Sequence, residues 1–527
     1  MCDTNSKIDS NMSHPIEVQM EVHEAKYPIG LEPQSEKYIK LSIKADFVGI
    51  VDIPKTIYAY SDVSGSMSDV CNDNRTKQQH INHTWCNLLH YIADNDFCNV
   101  KIKMQSFDDE LEEVIPLIRP TKENVSSLTE KVNKMRPQNS TDIGMVLENI
   151  GEINSNQGKS RKYFLMMTDG EATTGIIATN KLVELLPEDT RFAGIAFGTD
   201  HNAELMNKLG DKNVQSSNWL VSDLEKSGVV YGEILSKWLY EVVDNVLIKL
   251  ENGLIYNYRN NEWVSELKLG SLSSEEVKQF HVKSDTPELL KLHFQYEKMN
   301  TDNNTTTHEI MKTMNECLNK ENQKIDLTRE MYRLRVQELI YEAKQINYNM
   351  EKDRRNYNYN GDSDDESQKY DVGPPRLIRQ QTCHFTPTEQ CFPPPPRLRR
   401  QTNKPIMNNG IIEIKRKMNA FKEIMLDYIK NNELEEDVYF QVLIGDLDIA
   451  YRKIGTPLGG MYLSALTTSQ GRQQSQVVDD IEEDEYDMEL NNIFGAQSVK
   501  TPRRPATNTA YASPVTMNSI RSMTTPM

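Results

Sequence analysis

The segment Ile57–Met67, which reads IYAYSDVSGSM, is a short apolar run that ends in a carboxylate, hydroxyl groups and a glycine. The apolar run is typical of a buried strand, and the polar residues after it are typical of a loop. Open α/β sheets build their binding sites at the carboxyl ends of their strands. Asp62, Ser64 and Ser66 offer hard oxygen atoms, which suit Mg²⁺ or Mn²⁺ rather than zinc. With so few carboxylates, the charge of such an ion stays undercompensated, and the ion can accept one more carboxylate from outside.

Two later segments complete a pattern with this loop. Ser140–Gly144 (STDIG) puts a threonine in a loop that opens a helix, and Tyr163–Gly170 (YFLMMTDG) puts an aspartate after a second apolar run. An Asp-x-Ser-x-Ser loop followed in order by these two loops resembles the von Willebrand factor A (vWA) domain. In that family the three loops form a metal-ion-dependent adhesion site (MIDAS), which binds partners through Mg²⁺.

The resemblance implies a role for each matching residue of this chain. Hydroxyls of the type of Ser64, Ser66 and Thr141 bind the ion directly, while Asp62 and Asp169 hold its water ligands. Gly65 and Gly170 support the loops, and Gly65 is expected to let the backbone turn tightly under the ion. The alternative is that the fold survives without metal and that these polar residues only make turns.

Strand and helix patterns alternate from residue 54 to residue 250, which predicts an α/β fold with a mostly parallel, doubly wound sheet. The strands beyond Ile57 are expected at Val100–Phe107, at Tyr163, at Arg191–Phe197 and at Trp219–Val221. Apolar positions at helical spacing mark the helices, among them the face Ile81, Trp85, Leu88, Leu89 and Ile92, and a long closing helix carrying Ile234, Trp238, Val242 and Leu247.

The remaining chain divides by composition. Residues 1–17 are expected to be flexible, and residues 252–298 alternate as a small antiparallel β unit. A strand at Ile39–Ile43, within 18–53, belongs either to that unit or to the edge of the α/β sheet. Residues 305–350 read as helical, 351–405 as a disordered linker, 406–464 as a helical pair that packs on the earlier helix, and 465–527 as a disordered acidic and polar tail.

Net charge and cysteine count limit the classes of partner and the cellular setting that we expect for this protein. The chain has 527 residues and a formal net charge of -18, which argues against nucleic acid as its main partner. Its seven cysteines are odd in number and form no CxxC pair, so we expect a reduced, intracellular setting, in the cytoplasm. No segment resembles a signal peptide or a membrane span.

Catalysis and a second metal site are weaker alternatives. Asp62 at a strand end resembles a phosphate-transfer nucleophile, but such loops need a second carboxylate two residues on, and Ser64 stands there. His80, His83, Cys86 and His90 follow in one helix, yet their positions drift around it, which favours a polar face. The chain is therefore predicted not to be an enzyme.

The linker supports a rival hypothesis. It repeats a Pro-Pro-Arg-Leu motif, and Ser363, Thr382 and Thr402 lie in contexts that suit protein kinases. The first hypothesis is an intracellular protein that binds an Asp- or Glu-bearing protein partner through a metal site. The alternative is a scaffold in which the vWA fold is a packing module and the linker repeats recruit partners.

Overall fold

The computed structural model describes most of the chain. The described residues are 15–32, 35–48, 53–71, 74–156, 158, 160–169, 171–197, 202–221, 227–299, 305–317, 325–360, 409–456, 458–474, 476–477, 507–508 and 510–524. Ser363, Thr382, Thr402, Gly170 and the Pro-Pro-Arg-Leu repeats lie outside these residues, as do residues 1–14.

The strands, in chain order, are β1 (Ile16–Val22), β2 (Lys37–Ala45), β3 (Lys55–Asp62), β4 (Val100–Phe107), β5 (Leu111–Ile118), β6 (Arg161–Thr168), β7 (Phe192–Phe197), β8 (Ser217–Val221), β9 (Glu241–Glu251), β10 (Leu254–Asn257), β11 (Glu262–Val264), β12 (Glu266–Lys268), β13 (Leu272–Ser273), β14 (Val277–Ser284), β15 (Lys291–Met299), β16 (Thr305–Thr313), β17 (Gln476–Val477) and β18 (Thr507–Asn508). The α-helices are α1 (Lys77–Asp94), α2 (Val125–Val132), α3 (Ile143–Ser155), α4 (Thr179–Leu185), α5 (Ala203–Gly210), α6 (Gly228–Leu239), α7 (Met314–Cys317), α8 (Thr328–Asn360), α9 (Asn409–Asn431), α10 (Val438–Lys453), α11 (Gly459–Arg472) and α12 (Pro514–Met523).

The α/β part of the molecule is built on a mostly parallel sheet, as predicted. Its order is β18-β17-β8-β7-β6-β3-β4-β5, with β5 antiparallel to β4. Strand side chains alternate between two apolar layers: α1, α2, α6 and α12 cover one face, and α3, α4 and α5 cover the other. The chain runs outward from β3 on one side and from β6 on the other. The crevice between the carboxyl ends of β3 and β6 is therefore the place where such sheets bind ligands.

Two antiparallel sheets pack together as the β unit. One sheet has the order β1-β2-β14-β10-β11, and β12, β9, β15 and β16 form the other. Their inward side chains share one apolar cluster, which joins Leu41 and Phe280 to Ile248 and Phe294. Because β2 pairs with β14 along its length, the strand at Ile39–Ile43 belongs to this unit and not to the edge of the α/β sheet.

Two helix predictions next to the β unit are wrong. The closing helix ends at Leu239, and residues 241–251 form β9, because the buried Val246, Ile248 and Leu250 alternate with more exposed neighbours and residues 247–251 pair with β15. Residues 305–313 form β16 and not a helix, because this segment pairs with β15 over its whole length. The apparent helical spacing there depended on Met311, which is 60% exposed.

The helical part is larger than predicted. Helix α8 continues to Asn360, so the predicted disordered linker begins ten residues too early, because residues 351–360 include no proline or glycine to break a helix. Residues 409–472 form three helices and not a pair, because α11 continues past the predicted boundary at 464. Helices α8, α9, α10 and α11 share one apolar core, as the predicted packing across the linker requires.

The predicted disordered tail contains a helix that returns to the α/β sheet. Helix α12 packs on α6 and α1, and its Ile520 and Met523 are buried in the core of that sheet. The backbones of α12 and α6 lie close together because α6 has glycines one turn apart on the face that contacts α12. A Cβ at Gly228 would lie 2.4 Å from the Met523 carbonyl oxygen, and one at Gly232 would lie 2.5 Å from the Ile520 Cα. Within the described residues no helix is both long and apolar enough to cross a bilayer.

We expect Gly232→Val to push α12 off α6 and to lower the free energy of unfolding by about 1–3 kcal/mol, as overpacking does. Thermal unfolding and limited proteolysis at the carboxyl terminus measure both effects. The control is Gly151→Ala in α3, where an added Cβ has its nearest neighbour at 3.5 Å. Wild-type stability and protease resistance in the Gly232 variant would contradict the close packing.

Candidate metal centre

Asp62 is the last residue of β3, and both of its carboxylate oxygens are held in place. The backbone N–H of Ser64 donates to Oδ1 at 2.8 Å, and the Thr168 hydroxyl donates to Oδ2 at 2.7 Å. Thr168 ends β6, which pairs in parallel with β3, so the register of the two strands brings these groups together. The carboxylate is fully buried and cannot rotate without losing a hydrogen bond.

The serine hydroxyls and the second aspartate converge next to Asp62. Ser64 Oγ lies 3.1 Å from Ser66 Oγ, and Ser66 Oγ donates to Asp169 Oδ1 at 2.8 Å. Ser64 and Asp169 are buried, whereas Ser66 is exposed, so the group opens to solvent on the Ser66 side. Four of the predicted site residues therefore form one hydrogen-bonded cluster at the surface.

Thr141, the fifth predicted residue, lies in the adjoining loop. Backbone hydrogen bonds join this loop to the serine loop: Gln138 N donates to the Val63 carbonyl at 2.7 Å, and Gly65 N donates to the Asn139 carbonyl at 2.9 Å. Thr141 itself is 4% exposed, and its N–H donates to Thr173 Oγ1 at 2.8 Å. The three sequence-distant loops thus form one continuous surface.

The role predicted for Gly65 is wrong. Its φ is not positive, and a Cβ there would lie 3.4 Å from the nearest atom, the Gln138 carbonyl oxygen, so the turn does not require glycine. A glycine that sequence reasoning missed is more constrained. Gly175 has a φ of +66°, and a Cβ there would lie 2.2 Å from a carboxylate oxygen of Asp142, which caps α3.

A lysine that the sequence pattern did not reveal completes the cluster. Lys77, the first residue of α1, places Nζ 2.7 Å from Asp169 Oδ2 and 3.2 Å from Asp69 Oδ2. Burial alone would lower the pKa of Lys77, but the hydrogen bonds and charges of these two carboxylates raise it. No local spacing in the sequence predicts the contact between Lys77 and Asp169, because 92 positions separate them.

Burial dominates the electrostatics of Asp62. Desolvation raises its pKa to about 6, although hydrogen bonds from Ser64 and Thr168 partly offset that rise, and the nearby charge of Asp169 adds to it. An added cation would stabilise the ionised form. The site is therefore short of positive charge, despite Lys77.

The donor set fits a hard divalent ion. In an octahedral Mg²⁺ site with bonds of about 2.0–2.1 Å, adjacent ligand oxygens lie about 3 Å apart. Ser64 Oγ and Ser66 Oγ, 3.1 Å apart, match that separation, and Asp169 Oδ1 accepts a hydrogen bond from Ser66 beside them. No group of three or more His, Cys, Asp or Glu side chains in the described residues is arranged to hold a metal, whether at this cluster or among the histidines of α1, so the candidate centre depends on its hydroxyl oxygens.

Comparison with known proteins gave distant similarities. No family model and no curated protein sequence matches the chain. A von Willebrand factor type A protein from Catenulispora acidiphila is similar at 14% identity and a TM-score of 0.44, over 65% of this chain and 84% of that one. The ArnB paralog VWA2 from Sulfolobus acidocaldarius is similar at 12% identity and a TM-score of 0.44, over 87% and 98%. Proximal thread matrix protein 1 from the mussel byssus, with a zinc-occupied MIDAS motif, is similar at 17% identity and a TM-score of 0.30, over 37% and 50%.

We expect Ser66→Ala to weaken Mn²⁺ binding by at least tenfold, because it removes an oxygen that would contact the ion. Electron paramagnetic resonance measures free Mn²⁺ in a titration. The matched control is Ser68→Ala, since Ser68 is an exposed hydroxyl of the same loop that bonds only the Gly65 carbonyl. Equal affinity in both variants would place the ion elsewhere.

We expect Lys77→Met to tighten Mn²⁺ binding by about tenfold, because the ammonium group competes with the ion for Asp169. The same titration measures the change. Lys101→Met removes an equal charge from an exposed position of β4 and is expected to leave the affinity unchanged. Weaker binding in the Lys77 variant would show that the lysine supports the site and does not compete.

Proposed function

We propose that this chain is a non-catalytic vWA-domain protein that binds a protein partner through Mg²⁺ or Mn²⁺, with an Asp or Glu of the partner completing the coordination. The observation that carries the proposal is the cluster of Asp62, Ser64, Ser66 and Asp169 at the crevice between β3 and β6. The loop of Thr141 borders the cluster. Such a crevice is where α/β sheets bind ligands.

The residues of this chain would have two different roles in holding the ion. Ser64, Ser66 and Thr141 supply hydroxyl oxygens to the ion, and Asp62 and Asp169 hold its water ligands. The bound ion supplies a Lewis-acidic position that an incoming carboxylate can occupy. The exposed side of Ser66 is the direction from which a partner would approach.

The charges at the site favour an acidic ligand. Asp62 and Asp169 are buried carboxylates, so they balance the charge of one divalent ion. Lys77 adds a further positive charge within 2.7 Å of Asp169. Exposed Asp69 offsets part of this charge, but its side chain is 61% exposed and solvent screens it. With the ion in place, a carboxylate from a partner would meet the positive charges of the ion and of Lys77.

The same contacts support binding over catalysis. An aspartyl nucleophile needs a carboxylate oxygen that faces its substrate, but both oxygens of Asp62 accept hydrogen bonds from within the protein. Ser64, two residues on, donates its N–H to Asp62 and stands where a second carboxylate would be needed. Unbridged thiols at Cys86 and Cys98 agree with the proposed intracellular setting.

Affinity purification of the full chain with mass spectrometry tests the proposal. Wild type and Asp62→Ala are compared in Mg²⁺ and in EDTA, with Asp285→Ala, an exposed aspartate of the β unit, as control. We expect partners that bind wild type and the control in Mg²⁺, and that are lost at least tenfold in EDTA and in Asp62→Ala. Partners retained in EDTA would refute metal-bridged binding and favour the scaffold hypothesis.

A further inference from the structure

A cavity of about 150 Å³ lies where the three parts of the molecule meet. The α/β sheet contributes Trp219 of β8, the β unit contributes Tyr256 and β14, and the helical part contributes Arg333 of α8 and Arg472 of α11. A cavity of this size accommodates a ligand of about one aromatic ring. It is remote from the metal centre, since none of the proposed metal ligands lines it.

Flat aromatic side chains form much of the wall. Trp219, Trp238 and Tyr256 are buried, and Tyr258 packs against Gly471 so closely that a Cβ there would lie 2.1 Å from the ring. Aromatic walls favour a planar ligand, because stacked and edge-on ring contacts add to the hydrophobic effect.

Arg333 is a buried guanidinium of this wall with unused hydrogen-bond donors. The side chain is 2% exposed and its guanidinium lies 5.7 Å from the Tyr511 ring centroid, but its Nε and Nη1 have no hydrogen-bond partner among the described residues. Its Nη2 reaches only the carbonyls of Gln279 and Gln470, each at 3.4 Å. A buried guanidinium with unused donors destabilises the folded protein unless an anion compensates its charge.

Four other cations of the wall already have carboxylate partners, and Lys268, which also lines it, is exposed to solvent. Lys237 pairs with Glu233, Lys278 with Glu276, Arg191 with Asp244 and Arg472 with Asp211.

Arg259 differs from those cations and resembles Arg333. Its guanidinium lies 6.0 Å from the Tyr258 ring centroid, and its Nε donates to the Tyr258 hydroxyl at 3.5 Å. Among the described residues, no carboxylate forms an ion pair with Arg259 or Arg333. Two guanidinium groups without a carboxylate at ion-pair distance thus line one small aromatic cavity in a chain of net charge -18, and the charges of Glu330 and Asp211 act on them only from farther away.

We propose that this cavity binds a phosphate monoester of a flat, ring-sized group, with Arg333 and Arg259 receiving the phosphate and the aromatic wall receiving the ring. Arginine suits phosphate binding because its planar guanidinium can donate two parallel hydrogen bonds to phosphate oxygens and stays charged when buried. The doubly charged phosphate compensates both guanidinium groups. This site is independent of the metal centre.

A purely structural role for Arg333 makes a different prediction. If Arg333 only held the helices together, Arg333→Met would lower stability. If Arg333 awaits an anion, exchanging its buried charge for an apolar side chain of similar length leaves the unliganded protein as stable or more stable.

Phenyl phosphate is the probe, and inorganic phosphate and phenol represent its two parts. Calorimetric titration of the full chain measures binding, and thermal unfolding measures stability. We expect phenyl phosphate to bind wild type more tightly than either part and to raise its melting temperature. Arg333→Met is expected to bind at least tenfold more weakly without a loss of stability. The matched control is Arg335→Met on the same helix, which removes a partly exposed guanidinium that pairs with Glu338 at 2.8 Å.

Three results would overturn the proposal: no binding of phenyl phosphate to wild type at millimolar concentration, equal binding by wild type and Arg333→Met, or equal loss in both arginine variants. An Arg333→Met variant that does not fold would show that Arg333 is structural, and Arg259→Gln then tests the phosphate contact by itself, because Arg259 is only half-buried. Binding by that variant at wild-type affinity would count against the proposal equally.

Discussion

The parallel pairing of β3 with β6 is the constraint on which the candidate metal centre depends. It aligns the end of one strand with the end of the other, so that Thr168 donates to Asp62 and Asp169 follows in the next position. Two carboxylates far apart in the chain thereby share one buried corner. Hydroxyls and backbone N–H groups can then compensate both, which neither loop could achieve alone.

Electrostatic compensation explains the arrangement around that corner. Buried carboxylates are costly unless they are hydrogen-bonded or paired. Asp62 relies on hydrogen bonds, whereas Asp169 has a hydroxyl on one oxygen and Lys77 on the other. The Lys77 ammonium thus neutralises Asp169 in the structure, and an ion bound at the proposed centre would have to compete with it for that carboxylate.

A second electrostatic cluster ties the α/β sheet to the β unit. Arg161 at the start of β6 pairs with Glu241 at 2.6 Å and with Asp244 at 3.3 Å, both on β9. The Tyr163 hydroxyl donates to Glu241 at 2.6 Å. Burial alone would raise the pKa of Asp244, but Arg191 and Arg161 lower it, so the cluster stays charged. Strong, directional contacts of this kind orient the two units, and the aromatic cavity lies beside the junction they form.

The sequence by itself determined the alternation of strands and helices in the α/β sheet and the three loops that carry Asp62, Ser64, Ser66, Thr141 and Asp169. Those signals are local, because periodicity and turn chemistry act over a few residues. Four further features of the fold and of the candidate sites follow only from tertiary contacts. The Lys77 contact, the return of α12 onto α6, the strands β9 and β16 and the unpaired Arg333 depend on residues far apart in the chain. Contacts between residues so far apart in the chain produce no local periodicity, so a sequence pattern does not predict them.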